Sequence, residues 1–187
     1  RGAQGAGAAN GALMRTSIIG VRFYDDLELA EALAICFCKV THADHRCVAS
    51  CIVLVRIIAR LIQGEKNYHQ IAEEAIQRGL LYLQCQGSPY ISEFLRHVEA
   101  KTFSDLNLDK RREIGYTLKA LGCCLVVLRS NISFEEGILA LAREAGDADT
   151  NAACAGPVLG AKYGLHKIPR WWILHHPHLE WLGGVVG

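Results

Sequence analysis

The sequence lacks most of the features that place a chain in a class at first sight. Its formal net charge is +1 over 187 residues, so there is no basic field for nucleic acid and no acidic tail. No apolar run is long. Residues 47–55 and 121–128 are bounded by Arg46, Arg56, Lys119 and Arg129, far short of the roughly 20 residues that span a bilayer. No secretory signal is visible. No segment alternates with period two over a useful length, so no strand is expected. There is no internal repeat and no low-complexity block. Gly5-Ala6-Gly7 has its third glycine out of register for a dinucleotide fingerprint, and no strand precedes it. No Ser-His-Asp or Cys-His triad stands out along the chain.

What is present is an ordinary globular composition, 51% hydrophobic and 21% charged, with length for one domain and a sizeable core. Eight cysteines show no paired Cys-x-x-Cys framework. Cys36, Cys38, Cys47, Cys51, Cys123, Cys124 and Cys154 lie in apolar stretches, where a reduced thiol acts as a small hydrophobe. Reduced thiols point to a cytoplasmic or otherwise intracellular protein.

Apolar residues recur at helical spacing. A helix is expected over residues 11–20. Asp25 and Asp26 cap the next, with Leu29, Leu33 and Phe37 on its apolar face. Residues 47–62 are apolar almost all round and read as a buried central helix. Residues 68–83 and 90–99 read as further helices. Residues 101–112 are polar and read as a surface loop. Residues 114–129 form a second strongly apolar helix, with Ile114, Leu118, Leu121, Leu125 and Leu128 on one face. Ser133 and Glu136 fit a capping box for residues 134–145. The fold class is all-α, in one domain.

Chemistry concentrates at Gly146-Asp147-Ala148-Asp149-Thr150. Two carboxylates and a hydroxyl within four positions at a helix mouth are ligands for a hard cation such as magnesium. The same residues also suit a helix start, with Gly146 ending one helix and Asp149 or Thr150 capping the next. His42, His45, Cys47 and Cys51 are a second candidate, for zinc; the alternative for the two cysteines is core packing. His175, His176 and His178, beside Trp171, Trp172 and Trp181, read as a surface turn next to an aromatic anchor.

Residues 146–164, GDADTNAACAGPVLGAKYG, resemble the C-terminal metal motif of the ADP-ribosylglycohydrolases, Gly-Asp-x-Asp-Thr followed by a small-residue helix ending Gly-Ala-x-x-Gly. Asn10-Gly11-Ala12-Leu13-Met14-Arg15 resembles that family's Asn-Gly-x-x-Met-Arg. Thr41-His42 resembles its Thr-His pair, and Ile168-Pro169 with Trp172 its Ile-Pro-x-x-Trp ending. The four matches run in the family's order.

The resemblance implies a compact orthogonal helical domain and a hydrolase that removes ADP-ribose from an acceptor through an N- or O-glycosidic bond. It implies two magnesium ions that orient the ribose hydroxyls and help place the attacking water. Asp147, Asp149 and Thr150 would be metal ligands. Asn10, Gly11, Ala12, Met14 and His42 would line the ADP-ribose cleft, with Gly11 and Ala12 offering backbone N–H groups and His42 near the adenosine end. Arg15 would pair with a carboxylate or a phosphate. The partners implied are ADP-ribose or an ADP-ribosylated protein or small molecule, with no nucleic acid and no membrane, bound by a monomer.

Two departures from the family pattern stand out. Pro157 removes a hydrogen bond within the small-residue helix and clashes with the Ala153 carbonyl, so that helix is expected to kink or stop short. The family's Gly-Asp segment and Thr-Asp-Asp-Thr motif, with the remaining metal ligands and a catalytic acidic residue, have no counterpart. Asp25-Asp26 follows Phe23-Tyr24, and follows rather than precedes the Asn-Gly segment. The chain is therefore expected to be the C-terminal two-thirds of such a protein, inactive alone, with its catalytic residue outside these 187 positions. The alternatives are a non-catalytic ADP-ribose-binding or crystallin-like structural relative, and a zinc-stabilised helical interaction module.

Overall fold

Two helices have long stretches that are apolar on every face, which suits them to the centre. In the computed structural model, which describes residues 7–186, these are α3 (His45–Ile62) and α6 (Thr117–Arg129). Every residue from Cys47 to Val55 is buried, as is every residue from Thr117 to Leu128. Around them run α1 (Leu13–Arg22), α2 (Leu27–Lys39), α4 (Tyr68–Cys85), α5 (Ile91–Val98), α7 (Phe134–Arg143), α8 (Ala148–Tyr163), α9 (Arg170–Leu174) and α10 (Leu179–Val186). The fold is all-α. Among the described residues the sole β pairing is an isolated antiparallel bridge between Ala9 and Tyr116. No described helix is long and apolar enough to cross a membrane.

Helix α3 packs against α1, α2, α4, α6 and α8. Gly20 permits the close α1 crossing: a Cβ there would lie 2.7 Å from the Val55 carbonyl oxygen. The starts follow local chemistry. The side chains of Asp26, Asp44 and Asn67 accept from the free amides of Leu29, Arg46 and Gln70, and Ser133 with Glu136 forms the expected capping box. Half-buried Glu31 on α2 pairs with Arg56 on α3 at 3.0 Å and with Arg78 on α4 at 2.9 Å, tying three helices at one carboxylate.

Several expectations need correction. On α2 the buried face is Ala30, Ala34 and Cys38, while Leu29 and Phe37 are exposed. Small residues face α3 because close helix packing leaves no room for leucine and phenylalanine. Ile114 lies outside α6 and is exposed. The polar stretch 101–112 is no simple surface loop. It holds the 3₁₀ turn Ser104–Leu106, begins another at Arg111, and buries Phe103, Leu106 and Leu108. Lys119 on α6 anchors it, donating to the Asn107 carbonyl at 2.6 Å and pairing with Glu113 at 3.1 Å. Cys36 is exposed, unlike the other six cysteines assigned to apolar helices.

Helix α8 does not stop at Pro157; it continues to Tyr163. Ala153, whose carbonyl loses its partner to the proline ring, is exposed, so solvent is at hand for it. Near the far end of α8, buried Lys162 donates to the carbonyls of Val127, Leu128 and Ser130. These close the C-terminal end of α6, where a cation meets the negative end of the helix dipole. The histidine turn is exposed, and Trp172 packs edge-on to Phe134 at 6.2 Å. An apolar cavity of about 840 Å³ lies between α7, α8 and the last two helices.

Candidate functional site

The site begins with residues 8–10. Of Gly5-Ala6-Gly7, Gly7 alone lies within the described residues. Residues 8–10 lie antiparallel to residues 115–117: the Asn10 amide donates to the Gly115 carbonyl and the Thr117 amide to the Ala8 carbonyl, both at 2.9 Å. This short pairing carries Asn10 to the start of α8. There Asn10 Nδ2 donates to Asp147 Oδ2 at 2.6 Å, joining segments 137 positions apart.

Asp147 occupies the N-cap position of α8, yet its side chain caps nothing. The capping reading placed the cap at Asp149 or Thr150; the structure moves it back to Asp147 and gives that carboxylate a tertiary partner instead. Asp149 Oδ1 accepts from the following amide, that of Thr150, at 2.9 Å. Asp149 is exposed, Asp147 half-buried and Thr150 buried. Cys154 sits about two turns inside α8; burial pushes its thiol up to about 12, and the Asp147 charge adds to the effect.

The backbone before Asp147 is unusual. Ala145 and Gly146 are both left-handed, at φ +56° and +66°. At Gly146 a Cβ would fall 2.2 Å from the Leu108 carbonyl oxygen, so the 101–115 segment lies directly on the backbone that leads into the motif. Gly115, at φ +77°, lies beside both Asn10 and Asp147, and a Cβ there would stand 3.5 Å from Asp147 Oδ2.

The Asn10–Arg15 segment opens α1. Ala12 is buried at its N-cap position and Met14 is half-exposed. The amides of Gly11 and Ala12 enter no backbone hydrogen bond among the described residues, which leaves two donors at a helix start. His42 is the neighbour of Gly11: a Cβ on Gly11 would lie 3.3 Å from His42 Cε1. Arg15 pairs with no carboxylate among the described residues. It donates to the Thr41 hydroxyl at 2.6 Å and to the Phe37 carbonyl at 3.0 Å.

The zinc candidates are spoken for separately. Cys47 Sγ donates to the Ala9 carbonyl, Cys51 Sγ accepts from Thr16, and His45 lies edge-on to Tyr82. Among the described residues no group of three or more His, Cys, Asp and Glu side chains could hold a metal ion.

Sequence reasoning missed three residues here: Arg46, Gly115 and Tyr116. Arg46 donates to both oxygens of Asp44, reaches the Tyr116 hydroxyl at 3.2 Å and lies 3.8 Å over the Tyr90 ring. With Ala8, Ala9, Glu93, Gly115 and Tyr116 it lines an open cavity of about 420 Å³ next to Asn10. No local pattern marks these positions, because their meaning lies in the pairing of residues 8–10 with 115–117. Burial raises the Tyr116 phenol above its usual range, which keeps it a neutral donor.

Comparison with known proteins places this geometry. The family model described as ADP-ribosylglycohydrolase matches residues 1–186. The chain is 25% identical over 166 residues to an ADP-ribosylarginine hydrolase of Serratia proteamaculans, covering 89% of this chain and 42% of that protein. An ADP-ribosylarginine hydrolase of Pseudomonas putida matches at 25% over 166 residues, covering 89% of this chain and 41% of that protein. An uncharacterised protein of Archaeoglobus fulgidus matches at 26% over 167 residues, covering 87% of this chain and 52% of that protein. A solved structure described as an ADP-ribosylglycohydrolase-related protein complex superposes with a TM-score of 0.71 at 26% identity, covering 94% of this chain and 57% of that one. The chain thus spans about half the length of the curated relatives it matches.

Proposed function

The chain belongs to the ADP-ribosylglycohydrolase family, and from that premise we propose that its site binds the ADP-ribose of a modified arginine and serves hydrolysis of the N-glycosidic bond. In that reaction water adds to the anomeric carbon of the ribose, and the guanidine nitrogen leaves with a proton. Two relatives named as ADP-ribosylarginine hydrolases support the choice of acceptor. The observation that carries the reading is the Asn10–Asp147 hydrogen bond. It gathers the Asn-Gly segment and the Gly-Asp-x-Asp-Thr motif into one place, with His42 against Gly11.

Each group has a task that its surroundings support. The free amides of Gly11 and Ala12, at the start of α1, suit a phosphate or a ribose oxygen. Asn10 holds Asp147 in place through its side-chain amide. Asp147, Asp149 and Thr150 fit magnesium in kind, being hard oxygen donors at a helix N-terminus. Bound there, magnesium would supply positive charge to ribose oxygens and to the attacking water. The three residues are too few for the two-ion site that the family resemblance implies. Magnesium dehydrates reluctantly and requires near-octahedral coordination, so the 187-residue chain is expected to bind it weakly and to turn over no substrate. The acid or base that handles the leaving group is not assigned to any residue of this chain.

Calorimetry with magnesium and ADP-ribose, together with release of ADP-ribose from an ADP-ribosylated arginine peptide, tests the reading. It is applied to this chain and to the product of the whole gene. Expected are weak magnesium binding and no release by the short chain, and tighter binding with release by the long one, both abolished by Asp149→Ala. Robust turnover by the short chain would show that the catalytic groups are already here and have been misassigned. ADP-ribose binding without turnover by the long chain would favour a non-catalytic relative.

A further inference from the structure

Three side chains, one from α1 and two from the turn after α2, determine where one proton sits. Arg15, on α1, donates through Nη2 to the Thr41 hydroxyl at 2.6 Å. The Thr41 hydroxyl lies 2.7 Å from His42 Nδ1. Having accepted from a guanidinium, the hydroxyl still has its own proton to give, and among the described residues Nδ1 is the acceptor it meets. A ring nitrogen that accepts has no proton, so a neutral imidazole must carry its proton on Nε2. A neutral ring protonated at Nδ1 instead would leave the Thr41 hydroxyl accepting twice, with no acceptor for its own proton among the described residues, and a doubly protonated ring would place a second positive charge beside Arg15.

The backbone leaves the ring little freedom. The His42 amide donates to the Cys38 carbonyl at 2.8 Å, and the His42 carbonyl accepts from Cys38 Sγ at 3.3 Å. On its other edge, the Cε1 and Nε2 atoms would lie 3.3 and 3.4 Å from a Cβ on Gly11. Nε2 has no hydrogen-bond partner among the described residues. Burial, with Arg15 adding to it, holds the ring below its ordinary pKa, consistent with a neutral ring at physiological pH.

We propose that Arg15 and Thr41 are positioning residues, which together hold His42 with its proton on Nε2 as a fixed hydrogen-bond donor beside Gly11 and Asn10. The tautomer is inferred from the Arg15–Thr41–His42 hydrogen bonds. Its use as a donor to an oxygen of ADP-ribose rests on the function proposed above.

Nitrogen-15 spectra of the histidine-labelled chain report the tautomer directly, with His42→Gln identifying the signals. The wild-type chain should show His42 in the Nε2–H form alone. Thr41→Ser, which keeps the hydroxyl, should preserve it. Thr41→Val and Arg15→Met should give a mixture of both forms and raise the ring's pKa. An Nδ1–H ring in the wild type, or a pattern unchanged in both Thr41→Val and Arg15→Met, would overturn the proposal. Adding ADP-ribose should then move the Nε2–H signal and bind roughly three- to tenfold more weakly to Thr41→Val than to Thr41→Ser, the effect of one misoriented donor. The expected tautomers with no response to ADP-ribose would uphold the positioning role and refute the ADP-ribose reading instead.

Discussion

Gly146 is the position beside the site that tolerates least. Its backbone is left-handed at φ +66°, and a Cβ would meet the Leu108 carbonyl oxygen at 2.2 Å, where neither atom is the end of a flexible side chain. Gly146→Ala should therefore cost about 2–4 kcal/mol, through strain and overpacking together, read as a lower midpoint in urea unfolding. Gly160 is the internal control. It lies inside α8 with nothing within 4 Å of a Cβ, so Gly160→Ala should leave stability unchanged or raise it by roughly 0.5–1 kcal/mol. Asn10 is the other decisive residue, because its amide is a tertiary partner of Asp147. Asn10→Ala should weaken magnesium binding severalfold in calorimetry while the helical circular dichroism stays the same. Equal affinity in the variant would mean that Asp147 needs no support.

At the scale of elements, two buried lysines tie segments together without a membrane-like core having to accept bare charge. Burial pulls the Lys162 amine down to about 8, yet three carbonyls at the end of α6 and the faces of Tyr68 and Tyr163 surround it as partners for an ammonium. Lys162→Met should leave those carbonyls unpaired and destabilise the fold by about 2–3 kcal/mol. Lys119 does similar work for the 101–115 segment. Glu113 there is held down to about 2, chiefly by Lys110 and then Lys119. A carboxyl whose folded pKa lies below its unfolded one stabilises the fold above the unfolded value, here 4.5, and loses that contribution as pH falls toward 2. Acid unfolding of the wild type should thus show a loss between pH 4.5 and 2 that is smaller in Glu113→Gln. Because Glu113 is partly exposed, the difference should be modest and should shrink in salt.

Across the whole molecule, helices gathered around α3 and α6 decide which side chains water reaches. Six of the eight cysteines are buried, with Cys36 and Cys85 exposed. A thiol reagent should accordingly modify two groups in the native chain and all eight after unfolding. More than two reactive thiols in folded protein would contradict the packing described here. The site is also a whole-molecule property. It draws Asn10 from the approach to α1, His42 from the turn after α2, Gly115 from the approach to α6 and Asp147 from the start of α8, and none of these segments could present a ligand surface by itself.

Helix type and most helix positions were written locally, in period 3.6 and in caps such as Asp26 and Ser133, because those signals act within a turn or two of the chain. The Gly-Asp-x-Asp-Thr motif and its companions likewise announced the family without any coordinates. Where local pattern and packing competed, packing decided. Leu29 and Phe37 match the helical period as well as Ala30 and Ala34, but only the small pair fits against α3. Phe103, Leu106 and Leu108 sit in a polar stretch, yet Gly122 and Gly146 leave room for that segment to come in. Asp147 has the sequence context of a cap and becomes a tertiary acceptor, and Arg15 turns from a candidate ion-pair partner into the support of Thr41 and His42. These contacts join residues up to 137 positions apart; no local rule encodes such distances, and only the folded chain brings the partners within reach.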